Sequence, residues 1–418
     1  MRNSPMWWVI IIIMVLVDVY VYFALRSLFN DSSSKTRTVY TIVYASFSVT
    51  ALVLLFVLPY LQFQHQNTLF RSTIFALVFA LFFAKLVAAL FFMVDDIRRG
   101  VQWVAGKLFS STNEIGEIST GEGDGISRSV FLTWLGMIAG GGMFSTFVYG
   151  LGNKYNYKIK KLQLSFANLP AAFKGLKIVQ ISDIHSGSFT NKTAVSKGVD
   201  MILAQQADVI LFTGDLVNNK ATEMQNYKDV FQKLKAPMGV YSVLGNHDYG
   251  DYSQWESANA KQANLETLKS IHGQMGWRLL LDEHLPLQKG DAQIGLIGVQ
   301  NISGKRNFHS YGNLPKAMQG AEAYPFKILM SHDPSHWDSE VNTRFKDIDL
   351  MLSGHTHGMQ FGVELPGFKW SPVKYVYKQW AGLYEKAHQK LYVNRGFGFI
   401  GYPGRVGILP EITVITLV

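Results

Sequence analysis

The stretch "LKIVQISDIHSG", residues 176–187, decides how the rest of the chain is read. Its first half is a short apolar, β-branched run of the kind that forms a strand buried on both faces. Its second half breaks abruptly into Asp183 and His185, two polar side chains one residue apart. In extended backbone, residues i and i+2 point to the same side, so a carboxylate and an imidazole emerge together where the strand ends.

The same construction recurs downstream. "DVILFTG" (208–214) runs into Asp215, "GVYSVLG" (239–245) into Asn246, "FKILMS" (326–331) into His332, and "DLMLSG" (349–354) into His355 with His357 two residues on. "KIKKLQLSF" (158–166), "QIGLIGVQ" (293–300), "LYVNRG" (391–396) and "ITVITLV" (412–418) read as further strands. "KTAVSKGVDMILAQQ" (192–206) and the region around Tyr227–Leu234 have helical spacing. Strands alternating with helices predict an α/β domain over 158–418, and loops leaving strand ends converge on one sheet edge, where α/β folds hold ligands. Glycines before Asp215, Asn246 and His355 suit tight turns there.

Asp183, His185, Asp215, Asn246, His332, His355 and His357 form a nitrogen and oxygen donor set that suits Mn, Fe or Zn ions. The chain has no cysteine, which excludes thiolate ligands and disulfides. A carboxylate shared by two metals holds them about 3.5–4 Å apart, as hydrolytic dinuclear sites do. His336 lies four residues past His332 and competes with it as a ligand, but Asp333-Pro334 reads as the start of a helix that carries His336 away. His65, His272, His284, His309 and His388 stand in no such context.

In order, the elements are D-x-H (183–185), G-D (214–215), G-N-H-D (245–248), a lone His332 and G-H-x-H (354–357). This resembles the calcineurin-like metallophosphoesterase superfamily over roughly residues 160–418. "YVNRGFG" and "PEITVITL" are similar to its membrane-associated bacterial branch of YkuE- and YaeI-type phosphodiesterases. The resemblance implies a four-layer α/β/β/α sandwich and two divalent metal ions. It places Asp183, His185 and His357 on one metal and Asn246, His332 and His355 on the other, with Asp215 bridging. It also implies a metal-activated hydroxide as nucleophile. His247 would then face the phosphate and protonate the leaving oxygen or stabilise charge, with Asp248 orienting its ring. Where that branch carries a twin-arginine export signal, this chain has Arg128 followed by Ser129.

Residues 1–150 read differently. Four apolar segments, approximately 6–25, 39–61, 73–94 and 130–149, are each long enough for a membrane-spanning helix of about 20 residues. They predict an all-α bundle of four transmembrane helices as an anchor. The fourth is interrupted by Gly140, Gly141 and Gly142, and residues 113–129, rich in Gly, Ser and acid, read as a connector. Arg26, Lys35, Arg37, Arg98, Arg99, Lys107 and Arg128 fall in two loops, against only Arg2 and Arg71 on the other side. That bias puts the richer loops in the cytoplasm, and the C-terminal domain outside a bacterial inner membrane. Asp18 and Lys85, at similar depth in parallel helices, are expected to pair.

Of the chain's 39 Lys/Arg and 30 Asp/Glu, residues 1–150 hold 10 and 8, leaving 29 and 22 for the remainder. The C-terminal excess suits a phosphorylated substrate or an anionic membrane surface, and equally an ordinary solvated surface. No specific nucleic-acid partner is expected. Two residue groups stay open. Trp370, Tyr375, Tyr377 and Trp380 form either a packed cluster or a lipid-facing wall. Arg395 either contacts phosphate or forms an ion pair. The expected substrate is a phosphodiester or a phosphorylated lipid or nucleotide derivative. A protein phosphatase, or a sensor or scaffold with a vestigial domain, are the alternatives.

Overall fold

The computed structural model describes residues 5–57, 68–109 and 128–418, which divide into two compact units, Met1–Tyr149 and Gly150–Val418. The first unit is helical: α1 (Pro5–Arg26), α2 (Ser34–Val57), α3 (Thr68–Phe109) and α4 (Arg128–Leu151). All four are long and apolar enough to cross a membrane. Most of the 113–129 connector, and the last residues expected for the second segment, lie outside the described residues.

Two helices differ instructively from expectation. α3 runs fifteen residues past Val94, because the charges that end its apolar run are spaced to support a helix. Arg98 and Arg99 reach back to Asp95 at 2.7 and 3.1 Å, from positions i+3 and i+4. α4 continues unbroken through its glycines. A Cβ on Gly140 would lie 2.7 Å from the Ala84 carbonyl oxygen, and one on Gly136 2.6 Å from the Phe92 ring. These positions let α4 lie directly on α3, the close approach that small residues permit between membrane helices.

Between α1, α2 and α3, the Lys85 ammonium forms an ion pair with Asp18. Ser48 donates to the same carboxylate at 3.0 Å and Tyr44 at 3.2 Å, and the ammonium lies 4.6 Å from the Tyr44 ring centre. Two charges that hydrocarbon would not tolerate singly are thus satisfied by side chains from three helices.

The second unit has two six-stranded sheets. The first contains β1 (Lys158–Leu164), β2 (Lys177–Ile181), β3 (Val209–Phe212), β4 (Val240–Ser242), β5 (Arg278–Leu279) and β14 (Glu411–Leu417), ordered β1-β14-β2-β3-β4-β5. The second contains β6 (Glu283–Lys289), β7 (Ala292–Gly298), β8 (Lys327–Met330), β9 (Leu350–Ser353), β12 (Gly382–Lys386) and β13 (Gln389–Val393), ordered β12-β13-β9-β8-β7-β6. A small hairpin, β10 (Val363–Leu365) with β11 (Phe368–Trp370), stands apart from both. β2, β3 and β4 pair in parallel, as do β7, β8 and β9, so their C-terminal ends share an edge within each sheet.

Residue alternation builds the layers. Val209 and Leu211 of β3 pack inward with Ile328, Met330, Leu350 and Leu352 of the other sheet. Ile210 and Phe212 turn outward against Val195, Val199 and Ile202 of α5 (Lys192–Leu203), Val230 and Phe231 of α6 (Lys228–Phe231), and Leu268 and Ile271 of α7 (Ala258–Gln274). On the far side, Leu329 and Met351 meet Leu314 and Ala317 of α8 (Leu314–Met318). The result is an α/β/β/α sandwich whose central strands are buried on both faces, which is why they read as mostly apolar runs.

The Asp18–Lys85 pair generates a test. Asp18→Leu or Lys85→Leu alone leaves a lone charge in hydrocarbon, a cost of about 2.5–3.5 kcal/mol on insertion scales. The double variant is expected to accumulate in membranes better than either single one, measured by quantitative immunoblot of washed membranes. A double variant no better than the worse single one would show that the pairing contributes nothing.

Candidate metal centre

The strands deliver the seven candidate ligands to one place. Asp183 and Asp215 leave the ends of β2 and β3, Asn246 follows β4, and His332 and His355 follow β8 and β9. Five of them have left-handed backbone: Asp183 (φ 53°), His185 (49°), Asp215 (63°), His355 (72°) and His357 (50°). Non-glycine residues seldom adopt that region, and such strain concentrates where side-chain direction matters more than local stability. The adjoining glycines serve two purposes. Gly214 has φ 101°, a true conformational need. Gly245 and Gly354 are instead required by crowding, since a Cβ would strike the Asp215 carboxylate in the first case and Ser182 and Asp183 in the second.

Two ligand-like groups form, Asp183–His185–His357 and Asp215–His332–His355, with donor atoms within 4.8 Å of one another in each. Asp215 Oδ2 lies 3.1 Å from His332 Nε2 and 3.5 Å from His185 Nε2, so it faces both groups. Asn246 Oδ1 sits 2.8 Å from His355 Nδ1, which adds the carboxamide to the second group. Four imidazoles and two carboxylates have been taken almost wholly out of water here. His332 Nε2, His357 Nε2 and His185 Nδ1 are buried without a hydrogen-bond partner. Orphaned lone pairs at that density fit divalent metal ions as the missing partner, with oxygen and imidazole donors suited to borderline and hard metals.

The electrostatics agree. Burial opposes the charge on Asp183, yet the His357 imidazole, 3.2 Å away, holds its carboxyl well below the usual range. Burial alone would lower His332, but the Asp215 carboxylate, 3.1 Å from Nε2, outweighs it and raises the ring to about 10, a measure of how strongly this position favours positive charge. Burial lowers His185 and His357, leaving neutral rings able to donate lone pairs. The His332 tautomer is set from behind: Nδ1 donates to the Thr213 carbonyl at 2.7 Å, which turns Nε2 toward Asp215.

The two residues after Asn246 behave differently from each other. The His247 amide donates to Asp215 Oδ1 at 2.8 Å, and its ring Nδ1 donates to the Asn218 carbonyl at 2.8 Å. Glu223 fixes that carbonyl by accepting from the amides of Asn218, Asn219 and Lys220 at 2.6, 3.2 and 3.0 Å. The expectation that Asp248 orients the His247 ring is therefore corrected. Asp248 is fully buried and accepts from the amides of Asp215, Leu216, Val217 and Gly245 at 3.0, 2.8, 3.2 and 2.9 Å. Its carboxylate clamps the Asp215 loop to the Asn246 loop. Burial, then the Asp215 charge, pushes it up to about 7.

His336 does not compete with His332: its nitrogens engage Ser331 Oγ at 2.9 Å and Glu340 at 3.0 Å. Arg395 forms ion pairs with Glu411 and, at 2.8 Å, Glu364. Three contributors were not singled out from sequence. Tyr377, read there only as one of an aromatic group, places its hydroxyl 2.8 Å from His355 Nε2 and 3.4 Å from Asp333. Arg405, completely buried, donates to the Arg395 carbonyl at 2.7 Å and lies 3.2 Å from His357 Nδ1. The third is the Asn218 main chain. Asp333, read from sequence only as the start of a helix, is the supporting carboxylate beside Tyr377.

Such a sandwich, following four membrane-type helices and gathering these donors at its strand ends, is an α/β domain with a candidate two-metal centre behind a membrane-type helical unit. Comparison with known proteins agrees. Residues 1–153 match the family described as "Probable Calcineurin-like phosphoesterase, transmembrane domain", and residues 176–359 that described as "Calcineurin-like phosphoesterase". The uncharacterized metallophosphoesterase YkuE of Bacillus subtilis is 31% identical over 257 residues, 60% of this chain and 81% of its own. Phosphodiesterase YaeI of Escherichia coli is 28% identical over 248 residues, 58% of this chain and 82% of its own. A Danio rerio transmembrane protein with a metallophosphoesterase domain is 29% identical over 280 residues, 65% of this chain but 60% of that relative, so the chain spans less than two thirds of its length. The chain belongs to the calcineurin-like metallophosphoesterases, a class of phosphoric-ester hydrolases that use divalent metals.

The clamp assigned to Asp248 is testable. Asp248→Asn puts an amide where four N–H groups seek an acceptor, an unsatisfied contact of about 1–3 kcal/mol. The variant is expected to melt at lower temperature and to retain less metal. An unchanged melting temperature and metal content, with an altered pH–rate profile, would restore the ring-orienting role.

Proposed function

We propose that this chain is a membrane-anchored phosphoesterase with a dinuclear metal centre. Its expected substrate is a phosphodiester or a phosphorylated lipid or nucleotide derivative. The observation that carries the proposal is the convergence of orphaned imidazole nitrogens on two buried carboxylates, Asp183 and Asp215. Asp183, His185 and His357 would hold one ion and Asn246, His332 and His355 the other, with Asp215 facing both; Mn, Fe and Zn all suit the donor set. When bound, the ions supply Lewis acidity toward phosphoryl oxygens and lower the pKa of coordinated water. The chain's own residues do the rest. Asp215 is held in place by the His247 amide, and Asp333 with Tyr377 steadies His355 from outside. The Asn218 carbonyl occupies His247 Nδ1, leaving Nε2 to meet a phosphoryl or leaving-group oxygen.

The Lys/Arg distribution supports placing the second unit outside the cytoplasm, and the bacterial relatives support a bacterial cell membrane as its setting. The name of the Escherichia coli relative favours a diester over a monoester. Membrane lipids are then the nearest source of one.

Purified protein is expected to hold close to two metal ions per chain and to hydrolyse an aryl phosphodiester. His247→Ala should keep its metals and lose roughly 10²–10⁴-fold in turnover. Elemental analysis and steady-state kinetics check both. Absence of metal, with no activity on adding Mn, Fe or Zn, rules out the proposal, and loss of one metal equivalent in the variant would make His247 a ligand. For topology, an alkaline phosphatase fused after Val418 should be active while a fluorescent protein that folds only in the cytosol stays dark. The reverse pattern places the domain inside.

A further inference from the structure

The hairpin β10–β11 wears its apolar face outward. Its register sets Val363 opposite Trp370, Glu364 opposite Lys369, and Leu365 opposite Phe368. Directly opposed residues share a face and neighbours along a strand alternate, so Val363, Leu365, Phe368 and Trp370 lie on one side and Glu364 and Lys369 on the other. The polar side turns to the domain. Glu364 pairs with Arg395 at 2.8 Å and Lys160 at 3.3 Å, and Lys369 donates to the Ala381 carbonyl at 2.5 Å. The apolar side is left bare, with Val363, Leu365 and Phe368 exposed by 42, 60 and 56%. The next turn adds Tyr375 and Val376, exposed by 75 and 57%. Large apolar side chains gathered this way mark a binding surface.

Two observations identify the occupant. The first is charge. Lys374 and Lys378 flank the exposed turn, whereas the one acid of residues 363–378, Glu364, is held on the domain side by its ion pairs, as Lys369 is by the Ala381 carbonyl. Basic residues around aromatic and aliphatic ones suit an anionic lipid interface, whereas a second copy of the same surface would oppose lysine to lysine. The second is the covalent tether: α4 ends at Leu151 and β1 begins at Lys158, so the second unit is held by a short connection to any membrane that α4 crosses.

We propose that the β10–β11 hairpin and the Tyr375–Val376 turn insert into the interface of the membrane that α1–α4 span, and that the metal centre thereby works on phosphoesters of that membrane's lipids. The patch is wired to the centre. β10 starts six residues after His357, and Tyr377, next to Val376, contacts His355. The substrate half rests on the proposed phosphoesterase function; the docking half does not.

The absence of cysteine gives a clean experiment on the full chain reconstituted into vesicles of phosphatidylethanolamine and phosphatidylglycerol. Leu365→Cys, Phe368→Cys and, as control, Glu266→Cys on α7 each receive an environment-sensitive fluorophore, with a spin-labelled phospholipid as quencher. Blue-shifted emission and lipid quenching at 365 and 368 but not at 266 are expected. Aqueous emission at all three sites overturns docking. So does a blue-shifted but unquenched signal at 365 and 368, which would mean that protein, such as a second copy, covers the patch. Separately, Leu365→Glu with Phe368→Glu should lower hydrolysis of a vesicle-borne phosphodiester about tenfold, because two apolar anchors become charged. Hydrolysis of a soluble aryl phosphodiester should be unchanged. Quenching with no change in vesicle hydrolysis overturns the lipid-substrate half alone. If unaltered protein hydrolyses neither ester, the phosphoesterase reading falls, while the fluorescence still decides docking.

Discussion

Asp183, Asp215 and Asp248 bring three carboxyl groups into one loop cluster with almost no access to water, and the geometry of the second unit follows from offsetting that charge. Burying one unpaired carboxylate is costly, and neighbouring ones repel. Each of the three has a different remedy. Asp183 accepts from the His355 amide at 3.0 Å and faces His357. Asp215 faces His185 and His332, with the His247 amide on its other oxygen. Asp248 relies on four main-chain amides and carries the proton affinity of a carboxyl that burial has made reluctant to ionise. Only the first two look toward one another across imidazoles whose nitrogens lack partners, so the same charge problem that organises the loops also selects where cations belong.

Much of this was legible in the sequence, for a definable reason. Strands β2, β3, β8 and β9 are buried on both faces and mostly apolar, with Gln180 the one polar residue inside β2, so the switch to Asp183, Asp215, His332 and His355 stands out as the end of each strand. The ligand-like residues were visible because they sit at those ends. What escaped depends on how loops fold over one another. Asp248 follows His247 in sequence, yet its partners begin 33 residues earlier, at Asp215. Tyr377 reaches His355 across 22 residues and Asp333 across 44, which no local pattern encodes. α7 was missed because few of its residues are buried and its apolar periodicity is weak. The end of α3 was placed too early because a hydropathy limit stops at Asp95, whereas ion pairs one turn apart carry the helix on.

The membrane unit and the hairpin show two ways in which a chain departs from apolar-in, polar-out. In the first, Asp18 and Lys85 turn inward, because the solvent they avoid is hydrocarbon. In the second, β10 and β11 turn their aliphatic side away from the domain while Glu364 and Lys369 hold the polar side to it. Both departures keep every buried charge partnered, which separates an arranged inversion from a packing fault.

The length of α3 has a consequence beyond the bilayer. Forty-two helical residues span about 63 Å, roughly twice the thickness of a hydrocarbon core. Beyond Val94, Ile97, Val101, Val104 and Leu108 remain exposed and recur at helical spacing, so the protruding part still carries an apolar stripe. Asp95, Asp96, Arg98 and Arg99 open that stripe and resist entry into the tails, so the last part of α3, about 20 Å long, stands clear of the hydrocarbon with an apolar side still to be covered.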